Sequence, residues 1–239
     1  MWFFKPAWQN SNEQKALKAV EKENDQGKLA VIAQKALSGS VRVQAVKKIT
    51  DQTLLERIAK EHLDGHVRQT AILKLTDQIV LEGIAKDDPQ WYARKCAAEK
   101  LANKDVLKSI AENDGDRSVR KAAMTQLGDQ SVFAHLAQND PEMTVRFAAI
   151  DMLEDNVVLL NILGSSRDDE LCFAAASRLK RMGIQLDHSM QEKIEKMCEK
   201  AGHLWLYTTG YNGEKLRQTA PCQRCGYFDR DYANSSGWG

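Results

Sequence analysis

The chain is short of nearly everything that would mark a membrane, secreted or disordered protein. It has 4 prolines and 14 glycines in 239 residues, with no low-complexity run. No apolar stretch approaches the roughly 20 residues of a membrane helix, which argues against a spanning segment. Excess charge is missing too: 34 Lys+Arg face 33 Asp+Glu. A nonspecific nucleic-acid binder usually shows a clear basic surplus. Aromatics are 7% of the residues, yet Trp2, Phe3 and Phe4 open the chain. That run is broken by Lys5 and Pro6 and has no longer apolar region behind it, so it does not read as a signal peptide. There are five cysteines, three of them late and spaced for metal rather than for a disulfide frame. Together these absences predict a cytoplasmic protein.

What the chain does have is a period. "VRQTAILKLTDQIVLEGIAKDD" from Val67 and "VRKAAMTQLGDQSVFAHLAQND" from Val119 are copies of one unit, with another copy midway. The first position of the unit recurs every 26 residues as Val41, Val67, Ala93, Val119, Val145 and Leu171, without insertion. Arginine follows at Arg42, Arg68, Arg94, Arg120 and Arg146. Alanine holds a slot at Ala45, Ala71, Ala97, Ala123, Ala149 and Ala175. A large apolar residue comes four later, at Ile49, Leu75, Leu101, Leu127, Leu153 and Leu179. So many coincident columns signal an internal repeat.

Each unit predicts two short helices. In one copy Asp140 is a candidate N-cap and Pro141 a candidate first helical residue. Val145, Ala148, Ala149, Met152 and Leu153 then share a helical face. Asp155 is the candidate cap of the other helix, which turns Val158, Leu159, Ile162 and Leu163 inward. Asp51, Asp77 and Asp129 repeat that cap. A pair this short cannot bury its face alone, so copies must stack. The predicted fold is all-α: an α-solenoid of 26-residue helix pairs over residues 10–186.

The columns "VR..A...L.D" and "L..IA..D" resemble HEAT repeats, in particular the short HEAT-like units of bacterial proteins and of phycobilisome-lyase-like proteins. The resemblance implies an extended surface suited to holding a partner. It says little about function, because such repeats serve scaffolds, lyases and nucleic-acid enzymes alike. It also implies that the "VR" helix lines the concave face, and that its arginine bonds to an acid in the adjoining turn.

Carried backwards, the register places Trp2 and Phe3 on the slots of Leu54 and Leu55, and Asn10 on the slot of Asp140. Residues 1–9 thus occupy a truncated unit. Large rings suit an open solenoid end, since each buries 150–250 Å². We read this stretch as an N-terminal cap, with membrane contact as the alternative.

After Leu186 the register fails. "DHSMQEKIEKMCEKAG" predicts one helix with Met190, Ile194 and Met197 on a stripe. A hairpin follows with "NG" near its turn. Cys198, His203, Cys222 and Cys225 form a Cys-x4-His, Cys-x2-Cys set able to close a tetrahedral Cys3His shell around structural zinc. It resembles a treble-clef or ribbon-like finger. A redox Cys-x-x-Cys would need a βαβ context that is not predicted here; unliganded free thiols are the plainer alternative. The expected organisation is a helix plus zinc module over 187–228 and a flexible tail over 229–239.

The arginine column suggests a phosphate ladder. Its place on the flank of the buried stripe favours structural pairing instead, with Asp51, Asp77, Asp129 and Asp155 as candidate partners. Cys96 falls in a small core column, and Cys172 replaces arginine in the last unit. His62, His66 and His135 belong to no column and suggest no site. Two residues after the "VR" valine, Val43, Gln69, Lys95, Lys121, Phe147 and Phe173 point away from the buried stripe, with Trp91 and Met143 beside them. Trp91, Lys95, Lys121, Met143, Phe147 and Phe173 are the candidate partner surface, because aromatics beside cations compose binding hot spots. No nucleophile–base set, phosphate loop or paired catalytic carboxylates appear. The expectation is a monomeric, non-enzymatic protein-binding scaffold with structural zinc. A nucleic-acid-associated binder is the alternative, with a HEAT-like lyase or accessory enzyme behind it.

Overall fold

The structure is a computed structural model, describing residues 6–197 in full and the backbone of 198–200, 207–209 and 215–217. Its helices are α1 (Glu13–Lys22), α2 (Gln26–Lys35), α3 (Gly39–Lys48), α4 (Gln52–Glu61), α5 (Gly65–Lys74), α6 (Gln78–Asp87), α7 (Trp91–Ala98), α8 (Lys104–Asn113), α9 (Arg117–Leu127), α10 (Gln130–Asn139), α11 (Met143–Met152), α12 (Asn156–Ser165), α13 (Asp169–Arg181) and α14 (His188–Lys200). Strands β1 (Tyr207–Thr209) and β2 (Lys215–Arg217) pair antiparallel, Tyr207 opposite Arg217. No described helix is long and apolar enough to cross a membrane. The chain divides into two compact units, Met1–Gly128 and Asp129–Gly239.

Helices of about ten residues are marginal alone. Here each packs on its neighbour: α2 on α3, α4 on α5, α6 on α7 and α8 on α9 in the first unit, α10 on α11 and α12 on α13 in the second. The odd-numbered helices through α13 carry the repeat's "VR" face. Within the first unit they stack directly, α1 on α3, α3 on α5, α5 on α7 and α7 on α9, while the even-numbered helices approach one another far less. In the second unit α11 packs on α13 and α13 on α14. This is a series of short helices in consecutive pairs, the arrangement of an α-solenoid.

The sequence columns are the core. Val41, Val67, Ala93, Val119, Val145 and Leu171 are buried, as are all six alanines of the Ala45 column. Ile49, Leu75, Leu101, Leu153 and Leu179 are buried as well, and Leu127 is half-buried. Asp25, Asp51, Asp77, Asn103, Asp129 and Asp155 cap the six even-numbered helices from α2 to α12, each accepting a backbone N–H of the first turn. Gly128 closes α9 in the left-handed region, at φ 65°, a conformation that costs glycine little.

Two caps fall elsewhere than expected. Asp140 is not the N-cap of α11, which begins at Met143 behind Glu142. Asp140 ends α10 instead, and its Oδ1 accepts the Glu142 N–H at 2.8 Å. Asn10 likewise accepts from Asn12 at 2.9 Å, and Asn12 caps α1. Both are short side chains that bend a turn two residues ahead of the helix.

Two polar columns join successive repeats. Gln26 Oε1 accepts the Thr50 N–H at 2.7 Å, Gln52 that of Thr76 at 3.0 Å, Gln78 that of Ala102 at 2.9 Å and, in the second unit, Gln130 that of Glu154 at 2.9 Å. Lys48, Lys74 and Lys100 each donate to carbonyls that end the preceding "VR" helix, at Glu21, Lys47 and Leu75. Arg178 repeats this on Leu153 O at 2.8 Å. A cation at a helix C-terminus satisfies orphan carbonyls and complements the dipole. Burial pushes the Lys100 ammonium below its ordinary range.

At the N-terminus a single 3-10 turn, Ala7–Gln9, packs on α1, with Trp8 half-buried in it. Trp2, Phe3 and Phe4, the rings on which the cap expectation rests, lie outside the described residues. At the other end α14 forms as the sequence predicts, with Ile194 and Met197 buried and Met190 half-buried.

Candidate functional site

The arginine column is internal. Arg68 pairs with Asp88, both side chains below a tenth exposed, and its Nε donates to Ala59 O at 2.7 Å. The Arg68 guanidinium also lies over the Tyr92 ring, 6.0 Å from its centre. That ring crowds the start of α5, where a Cβ on Gly65 would stand 3.1 Å from it. Arg94 holds Asp114 through two bonds, at 2.7 and 2.9 Å. Arg42 meets Asp64 at 2.6 Å, and Arg146 meets Asp168 at 3.6 Å. Arg42, Arg94 and Arg146 each also donate to the carbonyl that ends the neighbouring even-numbered helix, at Ala36, Asp88 and Asp140. Arg120 does the same on Asp114 O at 2.9 Å.

Structural pairing is therefore what the geometry gives, but with a different acid column. Asp51, Asp77, Asp129 and Asp155 are helix caps. The partners are Asp64, Asp88, Asp114 and Asp168, in the turns that lead into the next "VR" helices. The carboxylates respond. The Arg42 hydrogen bond holds Asp64 below its usual range. For Asp114 burial pushes upward, and bonds from Arg94 and the Asp116 N–H together outweigh it, leaving it lowered.

The candidate partner residues fall in both units. In the first, Trp91 opens α7, 47% exposed. Lys95, one turn on, is half-buried and pairs with Glu99 at 3.1 Å. Lys121 on α9 is half-buried and makes no ion pair among the described residues. Lys95 and Lys121 line a groove of about 380 Å³ between α7 and α9, with Glu99, Ser118, Ala122, Thr125 and Gln126. In the second unit Met143 and Phe147 are half-buried on α11, and Met143 Sδ accepts from Arg146 at 3.3 Å. Phe173 is 4% exposed and belongs to the core of α13, which corrects its assignment to a surface.

Cys96 and Cys172 are buried free thiols, as a core role requires, and burial pushes both above the ordinary thiol range. Of the expected zinc ligands, Cys198 lies in the last turn of α14 with its side chain outside the described residues. His203, Cys222 and Cys225 lie outside them altogether. Among the described residues no group of three or more His, Cys, Asp or Glu side chains could hold a metal ion.

Two working sets escape the sequence reading: the Gln26 and Lys48 columns. Both recur at the 26-residue period, so the period itself is the signal. Comparison adds no family to this picture: no family model, curated protein or solved structure matches the chain.

Proposed function

We propose that this chain is a non-enzymatic, cytoplasmic, monomeric scaffold that binds a protein partner on the "VR" face of a HEAT-like solenoid. One observation carries the reading: the α7–α9 groove, where Lys121 makes no ion pair among the described residues and Trp91 is exposed on the same helix as Lys95. A tryptophan beside cations is hot-spot composition. The tighter stacking of the "VR" helices supports the inner side of a curve as the binding side in the first unit. The internal arginine pairs weigh against phosphate recognition, because the Arg68 and Arg94 guanidinium donors are engaged and the Nε left over on Arg42 and Arg146 is buried. The test is affinity capture with quantitative mass spectrometry on the intact protein and on a Trp91→Ala, Lys121→Glu variant. The reading expects a discrete protein to be lost from the variant at unchanged melting temperature. Capture dominated by nucleic acid, with a steep salt dependence, would replace it with the nucleic-acid reading.

We also propose structural zinc, held by Cys198, His203, Cys222 and Cys225 in an α+β module beyond α13. The support is the chemistry and spacing of the donor set: three thiolates and an imidazole suit a closed tetrahedral site. Native mass spectrometry should find one zinc ion per chain, lost in Cys222→Ser. A metal-free protein whose helical content is indifferent to chelators would end this proposal.

A further inference from the structure

One turn in the first unit is closed by an imidazole. The residue that ends the even-numbered helix is Asp88, Asp114, Asp140 or Ser166 in later repeats and Ala36, which has no side-chain acceptor, after α2, while Asn10 holds the slot after the N-terminal 3-10 turn. Asp88, Asp114, Asp140, Ser166 and Asn10 accept the backbone N–H two residues on through a side-chain oxygen, at 2.9, 2.8, 2.8, 3.1 and 2.9 Å respectively. After α4 the slot holds His62, and its Nδ1 accepts the Asp64 N–H at 3.0 Å. A backbone N–H only donates, so Nδ1 carries no proton. Nε2 lies 3.0 Å from the Ala33 carbonyl, which only accepts, so Nε2 carries one. The two contacts together require a neutral ring.

The Ala33 carbonyl has a second claimant. One repeat later the equivalent carbonyl, Ala59 O, is taken by Arg68 Nε at 2.7 Å. In the earlier repeat the histidine has it, and Arg42 Nε is buried with no partner, as is Arg146 Nε where Ser166 holds the equivalent slot. Beside the ring is a cavity of about 380 Å³. Its lining includes Gln34 from α2, Arg42 from α3, Arg57 and Glu61 from α4, and Asp64 at the head of α5. Arg42 and Asp64 neutralise each other at 2.6 Å, leaving Arg57 and Glu61, both exposed, as the opposite charges that line the cavity with the ring. His66, exposed on α5, is the nearest other histidine in sequence.

We propose that His62 is a proton-operated latch between the α2–α3 and α4–α5 helix pairs. A proton taken from solvent at Nδ1 turns the acceptor for the Asp64 N–H into a donor facing a donor. That contact breaks, the charged ring swings into the cavity toward Glu61, and Ala33 O passes to Arg42 Nε, as Ala59 O belongs to Arg68. Asp64 then loses the turn that presents it both as the cap of α5 and as the partner of Arg42. Imidazole is the side chain suited to such a change, because it takes up its proton between about pH 5 and pH 8. The aspartates, serine and asparagine of the equivalent slots do not. The latch is independent of the partner-binding proposal.

Native-state hydrogen exchange on the full chain tests it. Between about pH 7.5 and pH 5.5, the Asp64 amide should lose roughly five- to tenfold of its protection after correction for intrinsic rates, the scale of one hydrogen bond. The Gln90 and Asp116 amides should keep theirs. His62→Asp, the residue of the next repeats, should remove the pH dependence, and His66→Gln should leave it intact. An Asp64 amide indifferent to pH, or a loss that persists in His62→Asp, would overturn the latch. Nitrogen NMR of the unaltered protein at the higher pH is an independent test. An Nε2–H tautomer is expected at His62, and an Nδ1–H tautomer would refute the proposal whether or not any variant folds.

Discussion

Arg42 and Arg68 hold the same slot in adjacent repeats and solve the same problem differently. Arg68 finds its carboxylate at Asp88, twenty residues on, and is nearly sealed, at 8% side-chain exposure. Arg42 finds its own at Asp64, twenty-two residues on, at 22% exposure and with Nε left over. Arg94 follows the first pattern and Arg146 the second, again with an unsatisfied Nε. The repeat thus demands an acid in the turn and tolerates its sliding by two residues. The slide is forced where the first slot holds His62 or Ser166 instead of aspartate. What it costs is the complete satisfaction of the guanidinium.

The comparison breaks most sharply by truncation. Arg68→Ala leaves Asp88 buried without its cation and should cost about 3–5 kcal/mol in denaturant unfolding, the range for removing one member of a buried pair. Arg42→Ala should cost less, about 1–3 kcal/mol, since solvent reaches Asp64. Equal costs would mean that the shifted pairing is as complete as the other. Leu101→Ala, a core deletion in the same unit, should cost about 2–5 kcal/mol. An unchanged melting temperature there would contradict the register itself.

Helix starts offer a milder contrast. Asp77 caps α6 with its side chain, whereas Gln90 precedes α7 without doing so. Asp77→Ala should therefore cost about 1 kcal/mol, and Gln90→Ala close to nothing. Comparable losses at the two sites would show that the capping bonds are not what sets these helix starts.

Acid sharpens the comparison further. Asp64 and Asp114 both have lowered native pKa values, so the folded state binds their protons less readily than the unfolded chain. Their contribution is complete above the ordinary carboxylate range, about 4, and drains as pH falls from there through their lowered native values. Asp64→Asn should flatten the acid limb of stability against pH. An acid limb as steep as that of the unaltered protein would place the proton-sensitive carboxylates elsewhere.

Much of this is legible in the sequence, and the failures have a common origin. Core columns are readable because burial selects the same apolar size every 26 residues. The caps at Asp51, Asp77, Asp129 and Asp155 are readable because N-capping is local. Asp140 misleads because an acceptor two residues before a cap has the same composition as a cap. The partner of the arginines misleads because two acidic columns share one period, and a helical wheel does not say which lies across the turn. Phe173 sits at a position that is half-exposed in α7 and α9, but α13 has α14 packed on it and the ring is buried. The Gln26 and Lys48 columns share the period, yet their roles stay hidden, since a polar residue's destination depends on a neighbour 24 to 27 positions away.

The central claim is that the arginine column locks one repeat to the next rather than serving a ligand. Double-mutant cycles on Arg68 with Asp88 and on Arg42 with Asp64, read by equilibrium unfolding, test it most directly. The account predicts coupling in both, within about 0.5–3 kcal/mol, with the Arg68 pair at the upper end and the Arg42 pair well below it. Additive losses in the Arg68 cycle, with no coupling, would contradict it and return the arginines to the surface chemistry that their sequence column first suggests.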